Sequence, residues 1–189
     1  MVVKKNYGRI DLALIHYPVC NKNKKTIGSA VTNLDIHDIA RAAKTFGVGC
    51  FYIVTPFRDQ QLLVQEIIDH WLTGYGGRSN PDRKEALSLI RVVADIKSLL
   101  VATAQLNPVL LATCARDQDR TRSYSTVRNQ RQNGENFLIF FGTGWGLTSE
   151  VLEMMDDMLP PIHGIGDYNH LSVRSAVAIV LDRLTGETL

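Results

Sequence analysis

Three cysteines in 189 residues, Cys20, Cys50 and Cys114, are odd in number and widely separated, and none belongs to a C-x-x-C pair. That excludes a disulfide framework or a thiolate zinc site and leaves buried, reduced thiols as the expectation. Long apolar runs are missing too. Nothing approaches the roughly 18 apolar residues of a membrane span, and Met1 to Tyr7 carries two lysines and no apolar core, unlike a secretory signal. Charge of one sign is scarce: the net charge is +2, so any attraction for a polyanion must come from a local patch. No H-E-x-x-H or similar ligand spacing occurs, so no metal is expected. Repeats and low-complexity segments are absent. These absences lead us to expect a soluble, cytoplasmic protein without a membrane partner.

What is present is a globular composition, 45% hydrophobic and 21% charged, over a length that suits a single domain spanning residues 1–189. Ile10 to His16 (IDLALIH) reads as a buried strand. Leu34 to Phe46 follows as a helix with Ile36, Ile39, Ala40, Ala43 and Phe46 on one face, and Gly47 stands where a C-terminal cap belongs. Cys50 to Thr55 predicts a second strand and Gln60 to Leu72 a second helix. Thr73 to Asp82, with three glycines and a proline, predicts a flexible loop. A short helix over Lys84 to Leu89 and a strand over Ile90 to Val93 come next, then a helix capped by Asp95 and running to Gln105. Pro108 to Cys114 and Asn136 to Phe141 read as strands, separated by a helix over Tyr124 to Gln132. Thr148 or Ser149 starts a helix through Met155, and Ser172 caps the last one, to Leu184. Alternating strands and helices imply an α/β fold: a largely parallel sheet with helices on both faces.

Open parallel sheets bind ligands beyond the carboxyl ends of their strands. Three such ends stand out: Thr113-Cys114-Ala115-Arg116, Gly142-Thr143-Gly144-Trp145-Gly146, and Ile162-His163-Gly164-Ile165-Gly166 running on to Tyr168-Asn169-His170-Leu171-Ser172. Glycines there let the backbone approach a ligand closely. A tight turn without a ligand uses the same residues, and the G-T-G-W-G stretch has neither G-x-G-x-x-G spacing nor a P-loop lysine.

The stretches FLIFFGTGWGLTSEV and LPPIHGIGDYNHLSVRSAVAIVLDRL resemble the SPOUT superfamily of RNA methyltransferases. So does Asn33 to Val48, with Arg41 followed by an apolar-Gly-Val step into a strand. The resemblance runs along nearly the whole chain in the same order. It implies a C-terminal deep trefoil knot, which general topology rules would not propose, and S-adenosylmethionine as cofactor, bent within the knot. Phe141, Gly142, Thr143, Gly144 and Gly146 would line one side. Ile162, Gly164 and Ile165 would meet the adenine through main-chain groups. His170, Leu171, Ser172 and Val173 would close the site over a floor of Thr113, Cys114 and Ala115. Core packing would also employ Ile162, Leu171 and Val173. The 2′-O-methylating branch commonly has Asn where this chain has Asp35, Glu within the Gly144–Trp145 stretch, and Asn where this chain has Ser172. The acceptor atom is therefore unassigned.

In-line methyl transfer depends chiefly on alignment, with a base where the nucleophile must lose a proton. Arg41 is the candidate to hold a phosphate or orient the acceptor, because a guanidinium forks onto phosphate oxygens. Asn169 is the second catalytic candidate. It and Asp167 would touch the substrate or make turn hydrogen bonds. His163 and His170 flank the same loop, as possible bases or structural residues. Arg116, Arg120, Arg122, Arg128 and Arg131 form one basic segment and Lys22, Lys24 and Lys25 another; each is a phosphate-contact candidate or a solvated face. The resemblance implies a homodimer through the knot region, for which the apolar last helix and Trp145 are the candidate contact, and a structured RNA partner such as tRNA or rRNA. A non-RNA acceptor, or a non-catalytic module binding S-adenosylmethionine or a nucleotide, are the alternatives.

Overall fold

In the computed structural model, which describes residues 7–166 and 168–186, β1 (Ile10–Ile15) is buried along its whole length. It is followed by a small antiparallel hairpin, β2 (Val19–Cys20) and β3 (Thr26–Ile27), and by α1 (Asn33–Thr45). The Thr32 hydroxyl caps α1 by accepting from the Asp35 N–H at 3.1 Å. The helix stops where Gly47, at φ +71°, lets the Val48 N–H reach back 2.9 Å to the Ala43 carbonyl. β4 (Phe51–Val54) leads through α2 (Arg58–Leu72), α3 (Tyr75–Ser79) and α4 (Pro81–Leu87) to β5 (Ile90–Val93). α5 (Ile96–Thr103), capped by Asp95, tightens into a 3₁₀ turn (Ala104–Leu106) before β6 (Val109–Ala112). Then come α6 (Tyr124–Gln132), β7 (Phe137–Gly142), α7 (Ser149–Glu153), β8 (Asp157–Met158) and α8 (Val173–Thr185), the last capped by the Ser172 hydroxyl.

The six-stranded sheet has the order β5-β4-β1-β7-β6-β8, and every pairing in it is parallel. Alternate side chains point to opposite faces. Leu12, Leu14, Phe51, Ile53 and Ile139 pack beneath α1, α2, α6 and α8. Ala13, Ile15, Tyr52, Val54 and Phe140 pack beneath α5 and α7. Burial on both faces explains why the strand sequences are continuously apolar. Among the described residues no helix is long and apolar enough to cross a membrane.

The structure departs from the sequence expectation in three places. Thr73–Asp82 is largely helical, as α3 and the start of α4, not a loop. Its glycines serve close packing: a Cβ on Gly77 would fall 2.0 Å from the Trp71 carbonyl oxygen. The β2–β3 hairpin and β8 have only two residues per strand, too short to give a periodic signal. Of the cysteines, Cys50 is buried, while Cys20 and Cys114 are half-buried. Phe140, fully buried on β7, gives a test of the core: Phe140→Ala should lower stability by about 3–5 kcal/mol, read as a shift of the urea midpoint at unchanged slope.

Candidate functional site

The chain runs from β1 outward through β4 to β5, then crosses back to lay β6 and β7 on the other side of β1. The connections therefore diverge at the carboxyl ends of β1 and β7, the switch point where open α/β sheets bind ligands. Three polar side chains meet there. The Thr143 hydroxyl donates to the Ile15 carbonyl at 2.9 Å. Its oxygen then accepts from the Ser29 hydroxyl, which leaves the Ser29 oxygen to accept from His16 Nδ1–H at 3.0 Å. This donor count fixes the neutral His16 tautomer and leaves Nε2 as a buried acceptor with no hydrogen-bond partner.

The glycine-rich turn after β7 is fastened from the other side by the β2–β3 hairpin. Cys20 N–H donates to the Gly146 carbonyl and Trp145 N–H to the Cys20 carbonyl, both at 2.9 Å, and Val19 bridges Leu147. Gly144 and Gly146 adopt φ +59° and +104°. A Cβ on Gly142 would fall 2.6 Å from Leu147 N, so the turn closes only on glycine there.

Across from this turn lies the segment between Pro160 and α8. Among the described residues, no backbone hydrogen bond involves residues 161–166. The N–H groups of residues 162–166 and the C=O groups of residues 161–166 have no backbone partner among the described residues, and beyond Ile162 the segment is exposed. Asn169 Nδ2 donates to the Ala115 carbonyl at 2.5 Å, tying this segment to the end of β6. The exposed His163 and Asp117 side chains approach to 3.3 Å across the same gap. His170 packs edge-on against Tyr168, with ring centroids 5.4 Å apart. Thr113 is anchored at the sheet edge by its hydroxyl, 3.1 Å from the Phe140 carbonyl. The predicted cofactor residues of the three strand ends thus gather on one edge of the sheet. Asp167 lies outside the described residues.

Arg41 sits elsewhere. It is exposed eight residues into α1, about 12 Å along the helix from its start at the carboxyl edge. There it lines a shallow surface cavity with Lys44, Asn80, Asp82, Arg83 and Glu85. The arginine-rich segment is largely engaged within the protein. Arg120 donates to the Met155 carbonyl, Arg122 to Asp157, Arg128 to the Arg183 carbonyl and Arg131 to the Gly8 carbonyl, at 2.7 to 3.2 Å. The sequence reading missed Arg174. Its guanidinium meets Asp35 at 2.9 Å and Asp38 at 3.4 Å, fastening the start of α8 to the start of α1. Asp35 is buried and also accepts from the Thr32 hydroxyl at 2.6 Å, so the residue that departs from the SPOUT pattern has a structural task. His16, read from the sequence as a strand-end residue, does stand at the end of β1, and its bond to Ser29 is what the sequence did not show.

Burial lowers the His16 pKa to about 4, against the opposing pull of Asp35. The unfolded chain therefore takes up a proton near pH 6.5 that the folded chain refuses until about pH 4. Stability should fall as pH drops through that window and level off below it, by up to about 3 kcal/mol. Urea titrations from pH 7 to pH 4 should show this slope in the wild type and a flatter one in His16→Asn, whose amide keeps a donor near the Nδ1 position.

A family model described as SAM-dependent RNA methyltransferase matches residues 9–186. A protein of Oleidesulfovibrio alaskensis named tRNA (guanine-N(1)-)-methyltransferase is 44% identical over 94% of this chain, which spans 42% of that protein's length. An uncharacterized protein of Aquifex aeolicus is 40% identical over 93% of this chain and 87% of its own. The solved SpoU methyltransferase AviRb of Streptomyces viridochromogenes, in complex with the cofactor AdoMet, is 14% identical. It matches 95% of this chain and 57% of its own with a TM-score of 0.58, which establishes likeness of fold. The match along nearly the whole chain, on a parallel sheet with its glycine turn at the switch point, settles the family: this chain belongs to the SAM-dependent RNA methyltransferases, whose cofactor is S-adenosylmethionine.

Proposed function

We propose that the chain is one SPOUT-like methyltransferase domain that transfers a methyl group to a structured RNA, tRNA being the favoured substrate. The observation that carries this reading is the meeting on one sheet edge of the glycine turn, the floor at Thr113 to Ala115 and the backbone of residues 161–166, unpaired among the described residues. The tRNA preference rests on the relative's name. The chain spans less than half of that relative, so the guanine N1 acceptor is not carried over.

Backbone groups at Ile162, Gly164 and Ile165 that have no backbone partner among the described residues, with no Cβ at Gly164, fit a flat heteroaromatic ring read through main-chain hydrogen bonds. Gly142, Thr143, Gly144 and Gly146 would hold the opposite side. Bound there, S-adenosylmethionine would supply an electrophilic sulfonium methyl. The task of the chain is then to hold the acceptor in line. Asn169 keeps its Oδ1 for that purpose while its Nδ2 holds the Ala115 carbonyl. Arg41, on the flank of α1, is suited to a phosphate distant from the reacting atom. We further propose a C-terminal trefoil knot and a homodimer in which the exposed Trp145, Tyr168 and Leu171 lie at or near the contact.

Calorimetric titration with S-adenosylhomocysteine should give one site per chain. Gly142→Ala should weaken binding by at least about tenfold, or ~1.4 kcal/mol. Gly134→Ala, at φ +95° with open space around it and in another turn, should leave binding unchanged. Tritium transfer from labelled S-adenosylmethionine to bulk tRNA should follow the same order of variants. Absence of any saturable binding by the folded protein would overturn the reading.

A further inference from the structure

With most of the arginine segment engaged in the body of the protein, the free basic cluster beside the candidate site is the tip of the β2–β3 hairpin. Lys22, Lys24 and Lys25 are all exposed there. Among the described residues none of the three forms an ion pair. The tip is built to hold them. Asn21 Oδ1 accepts from the N–H groups of Asn23 and Lys25 at 2.9 and 3.1 Å. Asn21 N–H donates to the Lys25 carbonyl, and Lys24 N–H donates to the Asn21 carbonyl. Lys24 occupies the left-handed region at φ +59°, a strained arrangement for a lysine that glycine would adopt freely.

Two aromatic rings stand at the base of the same hairpin. Tyr17 and Phe57 pack edge to face at 6.1 Å and stay 41% and 43% exposed. Gly28 makes room for this pair, since a Cβ there would fall 2.3 Å from the Phe57 ring. The hairpin is in turn fastened to the glycine turn through the paired backbone bonds of Cys20 with Trp145 and Gly146. Cations, exposed rings and the candidate cofactor turn therefore form one continuous unit.

We infer that this hairpin is a docking platform for the unpaired RNA that flanks the acceptor nucleotide, with Lys22, Lys24 and Lys25 on its phosphates and the Tyr17–Phe57 pair against a base. The inference rests on the proposed RNA methyltransferase activity and adds the recognition surface to it. Unpaired rather than duplex RNA is implied because the bases of an A-form helix are stacked on one another, whereas a splayed base can lie on an exposed ring. Fastening the platform to the glycine turn would place the nucleotide next to the bound one at the methyl donor.

The test uses the full chain and two fluorescent RNA probes, a stem-loop with an unpaired loop and the same sequence closed into a duplex. Combined Lys22→Glu, Lys24→Glu and Lys25→Glu should weaken stem-loop binding at least about tenfold. It should also reduce the slope of log affinity against log salt by about 2. Tyr17→Ala with Phe57→Ala should cost about tenfold on the stem-loop and little on the duplex. Lys24→Gly, which relaxes the left-handed backbone while removing one charge, should fold at least as stably and lower the slope by about 1. S-adenosylhomocysteine titration of each variant should match the wild type. If the wild type binds the stem-loop and the lysine variants retain its affinity and salt slope, the inference is wrong while the RNA reading stands. Equal losses on both probes for the aromatic variants overturn its preference for unpaired RNA. A wild type that binds the cofactor product but neither RNA removes both.

Discussion

β1 is paired in register with β4 on one side and with β7 on the other, from Ile10 against Phe137 to Ile15 against Gly142, and the candidate site inherits its geometry from that pairing. The ladder to β7 ends on Gly142, where a Cβ would meet Leu147 N, so the chain turns sharply at the point where the connections diverge. Thr143 then turns its hydroxyl back onto the Ile15 carbonyl. A slip of one residue would turn every side chain of β1 to the opposite face and carry His16 away from Ser29. The continuous apolar packing on both faces makes such a slip prohibitive, so the core holds the polar residues at the sheet edge in place.

The elements legible in the sequence were those with enough length to show a period. The helices of Leu34 to Phe46, Tyr124 to Gln132 and Ser172 to Leu184 lie within a residue or so of the observed bounds, and Ile90 to Val93 coincides with β5. Gly47 worked as a stop signal because its left-handed φ is a backbone requirement that few other residues meet. Thr73 to Asp82 misled for the same chemical reason. Glycine marks flexibility in isolation and close packing in context, and only the Trp71 carbonyl beside Gly77 decides between them.

The site was legible in part. Glycines at strand ends placed the candidate residues on the carboxyl edge of the sheet, because the ends of parallel strands share one edge. The side-chain partnerships were not readable. Asp35 and Arg174 are 139 positions apart and Thr143 and Ser29 are 114 apart, and no local pattern encodes such pairs. Basic segments that look alike as strings also separate once folded. The arginines, able to span two acceptors at once, mostly fasten α6 and its flanks to neighbouring carbonyls, whereas the lysines of the hairpin tip have no acidic partner among the described residues.

The backbone of residues 161–166, unpaired among the described residues, bears on how such a protein tolerates divergence. A ligand read through N–H and C=O groups is read by the one part of the polymer that substitution leaves in place, proline excepted. Drift at Ile162, His163 or Ile165 changes volume and solubility without erasing the donors and acceptors. The residues under constraint become those that shape the path of the chain: the glycines, and Asn169, whose bond to Ala115 holds the segment in position. Sequence identity can then erode far while the candidate edge keeps its donors and acceptors.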